Sequence, residues 1–271
     1  PERLGVFDSL ESLYEDHEQW GDLVELYSCE RERLGTLEGG ESWGNYRTLS
    51  FRQAAVLFSE LDDPFTAAAL FEALLDDDEP HEPTLAFLEE QAAGGNDEFI
   101  RLLLEHYGRL GSWPDLLRML RLKLEHLDEP KAKRDTLLEI ARIEEMKMER
   151  PAEAIEAGGT AFEQVPSETD LLRGLYQTAE RTGAFGPWFE TMRRVLPKVE
   201  SVVERRGFMH AMGAVARQEL QDPTRAIEVY NQLLEEHPED EAALAALDGL
   251  YEEEEQWAER AAIMERRLTL T

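Results

Sequence analysis

The segment Leu247–Trp257 reads Leu-Asp-Gly-Leu-Tyr-Glu-Glu-Glu-Glu-Gln-Trp, and the chain writes it more than once. Leu10–Trp20 has the same Leu-x-x-Leu-Tyr-x5-Trp spacing. Leu103–Trp113 keeps Tyr107 and Trp113 six apart, and Leu172–Trp188 keeps Leu-x-x-Leu-Tyr with extra residues before Trp188. Self-similarity of this kind constrains the architecture more than composition does. A short unit cannot bury its apolar face alone and must stack on a copy of itself. The units are made of Leu, Ala, Glu and Arg, and runs of Val, Ile or Thr alternating with polar residues are missing. The expected class is therefore all-α, a solenoid of antiparallel helix hairpins with almost no strand.

Taken in order, the spacing predicts hairpins near 7–34, 46–75, 97–127, 131–165, 167–199, 201–237 and 239–270. Leu10, Leu13 and Tyr14 make one helical face, and Leu23, Leu26, Tyr27 and Leu34 make the next. Gly35–Gly44, with four glycines, reads as a loop holding Trp43 as a docking or capping residue. Pro64, Pro151 and Pro223 each open a helix, as a proline at the first helical position does. Two kinds of hairpin alternate: one opens its second helix with proline, and the other carries Trp20, Trp113, Trp188 or Trp257. Pro151 to Pro223 is 72 residues and Trp188 to Trp257 is 69, two hairpins in each case. Pro64 to Trp113 is longer than the later proline-to-tryptophan intervals, and the surplus places an extra helix or insertion at 81–96.

At about 34 residues per hairpin the sequence resembles the tetratricopeptide repeat family in a divergent, bacterial-type form. Ala226, Tyr230, Leu233 and Pro238 stand at the family's spacing for the second helix. So do Ala154, Ala161 and Pro166, with Gly158 in the aromatic slot, and Ala67, Phe71 and Leu74. Leu10/Tyr14/Trp20, Leu103/Tyr107/Gly111/Trp113 and Leu247/Tyr251/Trp257 match the first-helix and turn positions. They depart at Glu11, Leu104 and Asp248, and at Leu23, Leu116 and Arg260, where the family has small residues. The resemblance implies one right-handed superhelix over 1–271 and a protein-docking role; the start at Pro1 without methionine and the end at Thr271 inside a repeat add the expectation that it is a piece of a longer array. It also implies that first helices line the concave face. The non-core residues there are Asp8, Ser12, Glu15 and Asp16, then Arg101, Glu105 and Arg109, then Asp170, Gln177 and Thr178, then Glu252 and Glu253. The recurring Tyr and Trp read as packing between helices, since each buried one contributes roughly 1.5–3 kcal/mol.

The chain has 59 acidic against 28 basic residues, a formal charge of −31. Such a field repels phosphate backbones and anionic membranes and draws cationic partners. Nucleic acid is accordingly not an expected partner, and no segment has the apolar length for membrane insertion. Cys29 is alone, which permits no internal disulfide and fits a reducing, cytoplasmic compartment; its place in the second helix suggests a packed thiol. No nucleophile elbow, phosphate loop, dinucleotide turn or zinc-protease motif occurs, and the six histidines have no paired spacing. Asp76-Asp77-Asp78-Glu79 lacks the alternating ligands and glycine of a calcium loop and reads as a solvated helix end. Gly158-Gly159 reads as close helix packing or a local kink.

No catalytic residue, cofactor or metal is thus expected. The leading expectation is a non-catalytic scaffold that docks a basic or amphipathic segment of a partner protein in the concave groove. An acidic chaperone or nucleic-acid mimic that masks a basic protein is the second reading. A spacer that self-associates through the solenoid ends is the third.

Overall fold

A computed structural model describes residues 2–36, 40–77 and 81–270. Among them the ordered backbone is helical, with no strand. The helices are α1 (Glu2–Asp16), α2 (Trp20–Gly35), α3 (Gly40–Ser59), α4 (Pro64–Leu75), α5 (Glu82–Ala93), α6 (Asp97–Leu110) and α7 (Trp113–His126). They continue as α8 (Pro130–Met146), α9 (Pro151–Gln164), α10 (Asp170–Thr182), α11 (Phe185–Val195), α12 (Val202–Gln218), α13 (Pro223–Glu236), α14 (Glu241–Glu253) and α15 (Trp257–Leu270). A single 3-10 turn, Leu196–Lys198, follows α11.

Two compact units divide the chain, Pro1–His126 and Leu127–Thr271. Inside each unit helices pack against their near neighbours in chain order, which is the local pattern of a helical-repeat solenoid. The first unit centres on rings. Phe51, Phe58, Phe71, Phe87 and Phe99 lie with centroids 4.8–6.4 Å apart. Phe87 comes from α5, so the helix in the surplus stretch is part of this core. The second unit holds a continuous core that runs from Ile155 and Phe162 through Trp188 and Tyr230 to Leu247 and Ile263.

Seven hairpin turns share one backbone device. The residue two before each second helix has positive φ: Glu18, Asp62, Gly111, Glu149, Gly183, Gln221 and Glu255. The residue that opens the helix is then Trp20, Pro64, Trp113, Pro151, Phe185, Pro223 or Trp257. Two variants of the turn follow from what that residue can donate. Trp113, Phe185 and Trp257 give their N–H to the carbonyl two residues back, at 3.0, 2.9 and 3.1 Å. Proline has no N–H. There the residue before it reaches six back instead, as Arg150 does to Glu144 O (2.7 Å) and Asp222 to Ala216 O (2.9 Å). Only two of the seven positive-φ residues are glycine, so the others hold a conformation that costs an L-residue about 1 kcal/mol. Glu149→Gly is expected to stabilise the chain by about 0.5–1 kcal/mol and Glu149→Val to destabilise it, read as opposite shifts in thermal midpoint.

The register shared by these turns corrects the hairpin at 167–199. Phe185, not Trp188, holds the turn-aromatic position, two residues after Gly183. Trp188 sits one turn further on, fully buried, in the place of Leu23, Leu116 and Arg260. No residues are inserted. Instead α10 runs three residues further past Tyr176, so Ala179 and not Tyr176 stands at the level of Tyr14, Tyr107 and Tyr251. The Leu-x-x-Leu-Tyr string at Leu172 is thus out of register by one helical step.

Other expectations are corrected too. Trp257 is 59% exposed, because α15 packs mainly on α14 and leaves its first turn uncovered. Cys29 is exposed rather than packed, since α2 turns Tyr27 inward and Cys29 out. The helix α3 begins at Gly40, inside the stretch expected to be a loop. The side chain of Trp43, and residues Asp78 and Glu79 of the acidic run, lie outside the described residues. Of that run, Asp76 caps α4 and Asp77 pairs with Arg47 at 3.0 Å.

Candidate partner-docking face

In the second unit the first helices of successive hairpins, α8, α10, α12 and α14, are tied each to the next. Arg181 of α10 reaches Glu145 of α8, Arg173 of α10 reaches Glu204 of α12 at 2.8 Å, and Arg217 of α12 reaches Glu253 of α14. Second helices repeat the arrangement. Arg194 bonds Glu156 at 2.8 Å and also Glu163, Lys198 bonds Glu163 at 2.9 Å, and Arg225 bonds Glu190 at 3.1 Å. The partners in most of these bonds lie 31 to 38 residues apart, one hairpin of chain. Each exposed pair stabilises little, about 0–1 kcal/mol. Their larger consequence is electrostatic: these cations are matched inside the chain, while acidic residues outnumber basic ones two to one.

Between these ties the first helices leave clefts. One of about 270 Å³ runs between α8 and α10, over Ala141, Gly158, Gly174 and Leu175. A larger one, about 450 Å³, lies between α10 and α12. Tyr176 forms one wall, Val203, Gly207, Phe208 and Ala211 form the other, and Trp188 of α11 is the floor. Its lining is almost wholly apolar, with Arg173, Gln177 and Glu204 at the rim.

The residues expected to line the groove are placed as follows. Asp8, Ser12, Glu15 and Asp16 are exposed on α1 of the first unit. Arg101 and Glu105 are exposed on α6 and bonded to one another at 2.8 Å, with Glu98 also on Arg101 at 2.6 Å. Those carboxylates hold the Arg101 guanidinium well above its usual pKa. Arg109 turns to the end of α4, where it pairs with Asp76 and donates to Leu75 O at 2.6 Å. Both guanidiniums therefore already have carboxylate partners. In the second unit Asp170 pairs with Arg173, Gln177 lies at the rim of the larger cleft, and Thr178 lines the smaller. Glu252 pairs with Arg260 at 2.8 Å and Glu253 with Arg217.

Sequence reasoning passed over Val203, Gly207, Phe208 and Ala211. Their signal was present: Val202-Val203 exposed at a helix start, then a glycine in mid-helix without a turn to serve. Among the described residues no group of three or more His, Cys, Asp or Glu could hold a metal ion. Among the same residues no helix is long and apolar enough to cross a membrane.

The fold and this face define a helical-repeat protein built from stacked hairpins. Residues 212–240, the end of α12 with all of α13, match the Tetratricopeptide repeat family model. Among solved structures, the human IFIT1 dimer with PPP-AAAA aligns over 99% of this chain and 79% of that one, at 17% identity and a TM-score of 0.26. No curated protein matches the sequence. Repeats of this type generally mediate protein–protein interaction and are generally non-catalytic.

Proposed function

We propose that this chain is a non-catalytic docking scaffold whose first-helix face in the second unit receives a basic or amphipathic segment of a partner protein. The observation that carries the reading is the open, apolar α10/α12 cleft on helices otherwise tied together by ion pairs. Apolar surface left open beside a charged rim is where a partner's side chains gain most from leaving water. The charge excess supports a cationic partner, because most arginines of the chain are engaged with its own carboxylates. Asp170, Gln177, Thr178, Glu252 and Glu253 belong to this reading as rim residues. Asp8, Ser12, Glu15, Asp16, Arg101, Glu105 and Arg109 would form a separate acidic contact in the first unit.

Masking of a basic protein by diffuse charge is the competing reading, and ionic strength separates the two. The probe is a fluorescein-labelled helical peptide of about 18 residues, leucine on one face and lysine on the other. Anisotropy titrations with the full chain should show an affinity that falls only about threefold between low and physiological salt, since apolar contacts are not screened. A loss of about a hundredfold would instead mark counterion-driven attraction and sink the docking reading.

A further inference from the structure

Gly207 lies in the middle of α12, exposed, on a wall of the larger cleft. A Cβ placed there would meet nothing within 4 Å. Glycine in a helix interior costs about 1 kcal/mol relative to alanine, and no neighbour in the chain requires it. Gly213 on the same helix is different, because a tyrosine ring rests on it. Val203, one turn before Gly207, is 81% exposed. The floor residue Trp188 is fully buried and its indole N–H has no acceptor. An unneeded glycine and a bare valine thus border one apolar cavity floored by the Trp188 ring.

The wall residues Val203, Gly207 and Ala211 are spaced i, i+4 and i+8, so the cleft runs along about 12 Å of helix. That length spans two turns of an incoming helix and accepts two of its apolar residues four apart. At Gly207 the missing side chain lets another backbone come close. The rim has one guanidinium, Arg173, shared between two carboxylates, Asp170 and Glu204. Only Arg173 and Glu204 of these line the cleft, so the rim itself is charge-matched, and the negative field an incoming helix meets is that of the whole chain, −31.

We infer that the α10/α12 cleft is the anchor site of the partner segment: an amphipathic α-helix with lysines or arginines on its outer face, inserting an i, i+4 pair of large apolar side chains over Gly207. This rests on the docking reading above and names the residues and the partner class it needs. A helix is favoured over an extended strand by the apolar, single-sided lining, which has no free backbone edge to pair with.

Gly207→Leu fills the cleft, and Gly207→Ala narrows it while raising helix propensity. Both are compared with wild type using the leucine/lysine peptide, a serine/lysine peptide of equal charge and a leucine/glutamate peptide. Gly21→Leu, at another exposed glycine with no neighbour within 4 Å, controls for an added surface leucine. The expected result is that Gly207→Leu weakens the leucine/lysine peptide at least about tenfold. Gly207→Ala should weaken it less while raising the thermal midpoint, and Gly21→Leu should leave affinity unchanged. A purely structural glycine would lose stability in Gly207→Ala, so the opposite signs identify a binding role. Wild-type affinity in Gly207→Leu overturns the anchor site and leaves the docking reading intact. Equal binding of the serine/lysine peptide, or no binding of either lysine peptide, overturns both. Equal binding of the leucine/glutamate peptide overturns the cationic assignment. A wild-type dimer that Gly207→Leu abolishes would show the occupant to be a second copy instead.

Discussion

Gly213→Ala should destabilise the chain by about 2 kcal/mol, although alanine is the better helix former. A Cβ at Gly213 would lie 2.6 and 2.8 Å from the Cε2 and Cε1 atoms of Tyr230, and nearer still to Cζ. The ring belongs to α13 and is buried in the core, so it cannot swing away as the end of a long side chain would. Forcing a methyl into a filled core costs about 1–3 kcal/mol or more. Against this stands a gain of about 1 kcal/mol in helix propensity. The steric term wins because α12 and α13 must separate to admit the group, and Leu233 and Val229 would lose contact with it. Tyr230→Leu removes the obstacle, so the double variant should be more stable than the sum of the single effects predicts. Urea unfolding of the four proteins measures this. Additive losses would show that the methyl is accommodated without touching the ring. Gly158→Ala offers a graded comparison. Its Cβ would strike a terminal methyl of Leu175, which can change rotamer, and the loss should be smaller than at Gly213.

The same residues show how far the sequence can be read. Hairpins opened by Pro64, Pro151 and Pro223 were legible because proline marks a helix start through its fixed φ and missing N–H. At fixed offsets from those prolines come Ala54 and Phe71, Ala141 and Gly158, Gly213 and Tyr230, each pair taking one position on each helix. The pairing is a three-dimensional fact, so Gly213 carried no mark in the string, whereas Gly158 stood out for interrupting the aromatic slot. The Leu-Tyr-Trp signal was legible for three hairpins and misleading for a fourth, α10 with α11. There Leu172, Leu175 and Tyr176 imitate the motif one helical step early, and only the left-handed turn at Gly183 reveals Phe185 as the true counterpart of Trp113. First-helix residues could be named as surface, because helical periodicity separates faces. Their mutual pairing could not, since Arg173 and Glu204 are 31 residues apart and meet only after hairpins stack. For the same reason the cleft was invisible: its walls come from α10 and α12 and its floor from α11. Cys29 and Trp257 were misjudged because burial depends on which neighbour a helix turn meets, which local pattern does not contain.

Asp240→Ala is expected to cost about 3 kcal/mol at neutral pH, more than any exposed ion pair in the chain. The side chain of Asp240 is fully buried at the start of α14. Its carboxylate accepts from the Ala243 backbone N–H at 2.9 Å, from Arg206 Nε at 2.6 Å and from His210 Nε2 at 2.9 Å. Burial by itself would raise its pKa. The Ala243 N–H, then Arg206 and His210, outweigh that and hold it down at about 2. Removing the carboxylate leaves the buried Ala243 N–H without an acceptor and breaks the bonds from Arg206 and His210 of α12, leaving the exposed Arg217–Glu253 pair to join the two helices. Asp240→Asn keeps the cap through its amide oxygen but cannot accept from both α12 side chains, so it should lose about half as much. The pH dependence follows from the depressed pKa. An unfolded chain protonates this aspartate at its ordinary value near 4, before the folded chain does. The stabilisation, about 2 kcal/mol from the shift, is therefore complete above about pH 4 and is lost as the pH falls toward 2. Denaturant unfolding of wild type and Asp240→Asn from pH 7 down to about pH 3 should show a constant gap that begins to close only below about pH 4. A gap that stays constant to the acid end would mean that Asp240 acts through packing and its cap alone, with no contribution from its charge.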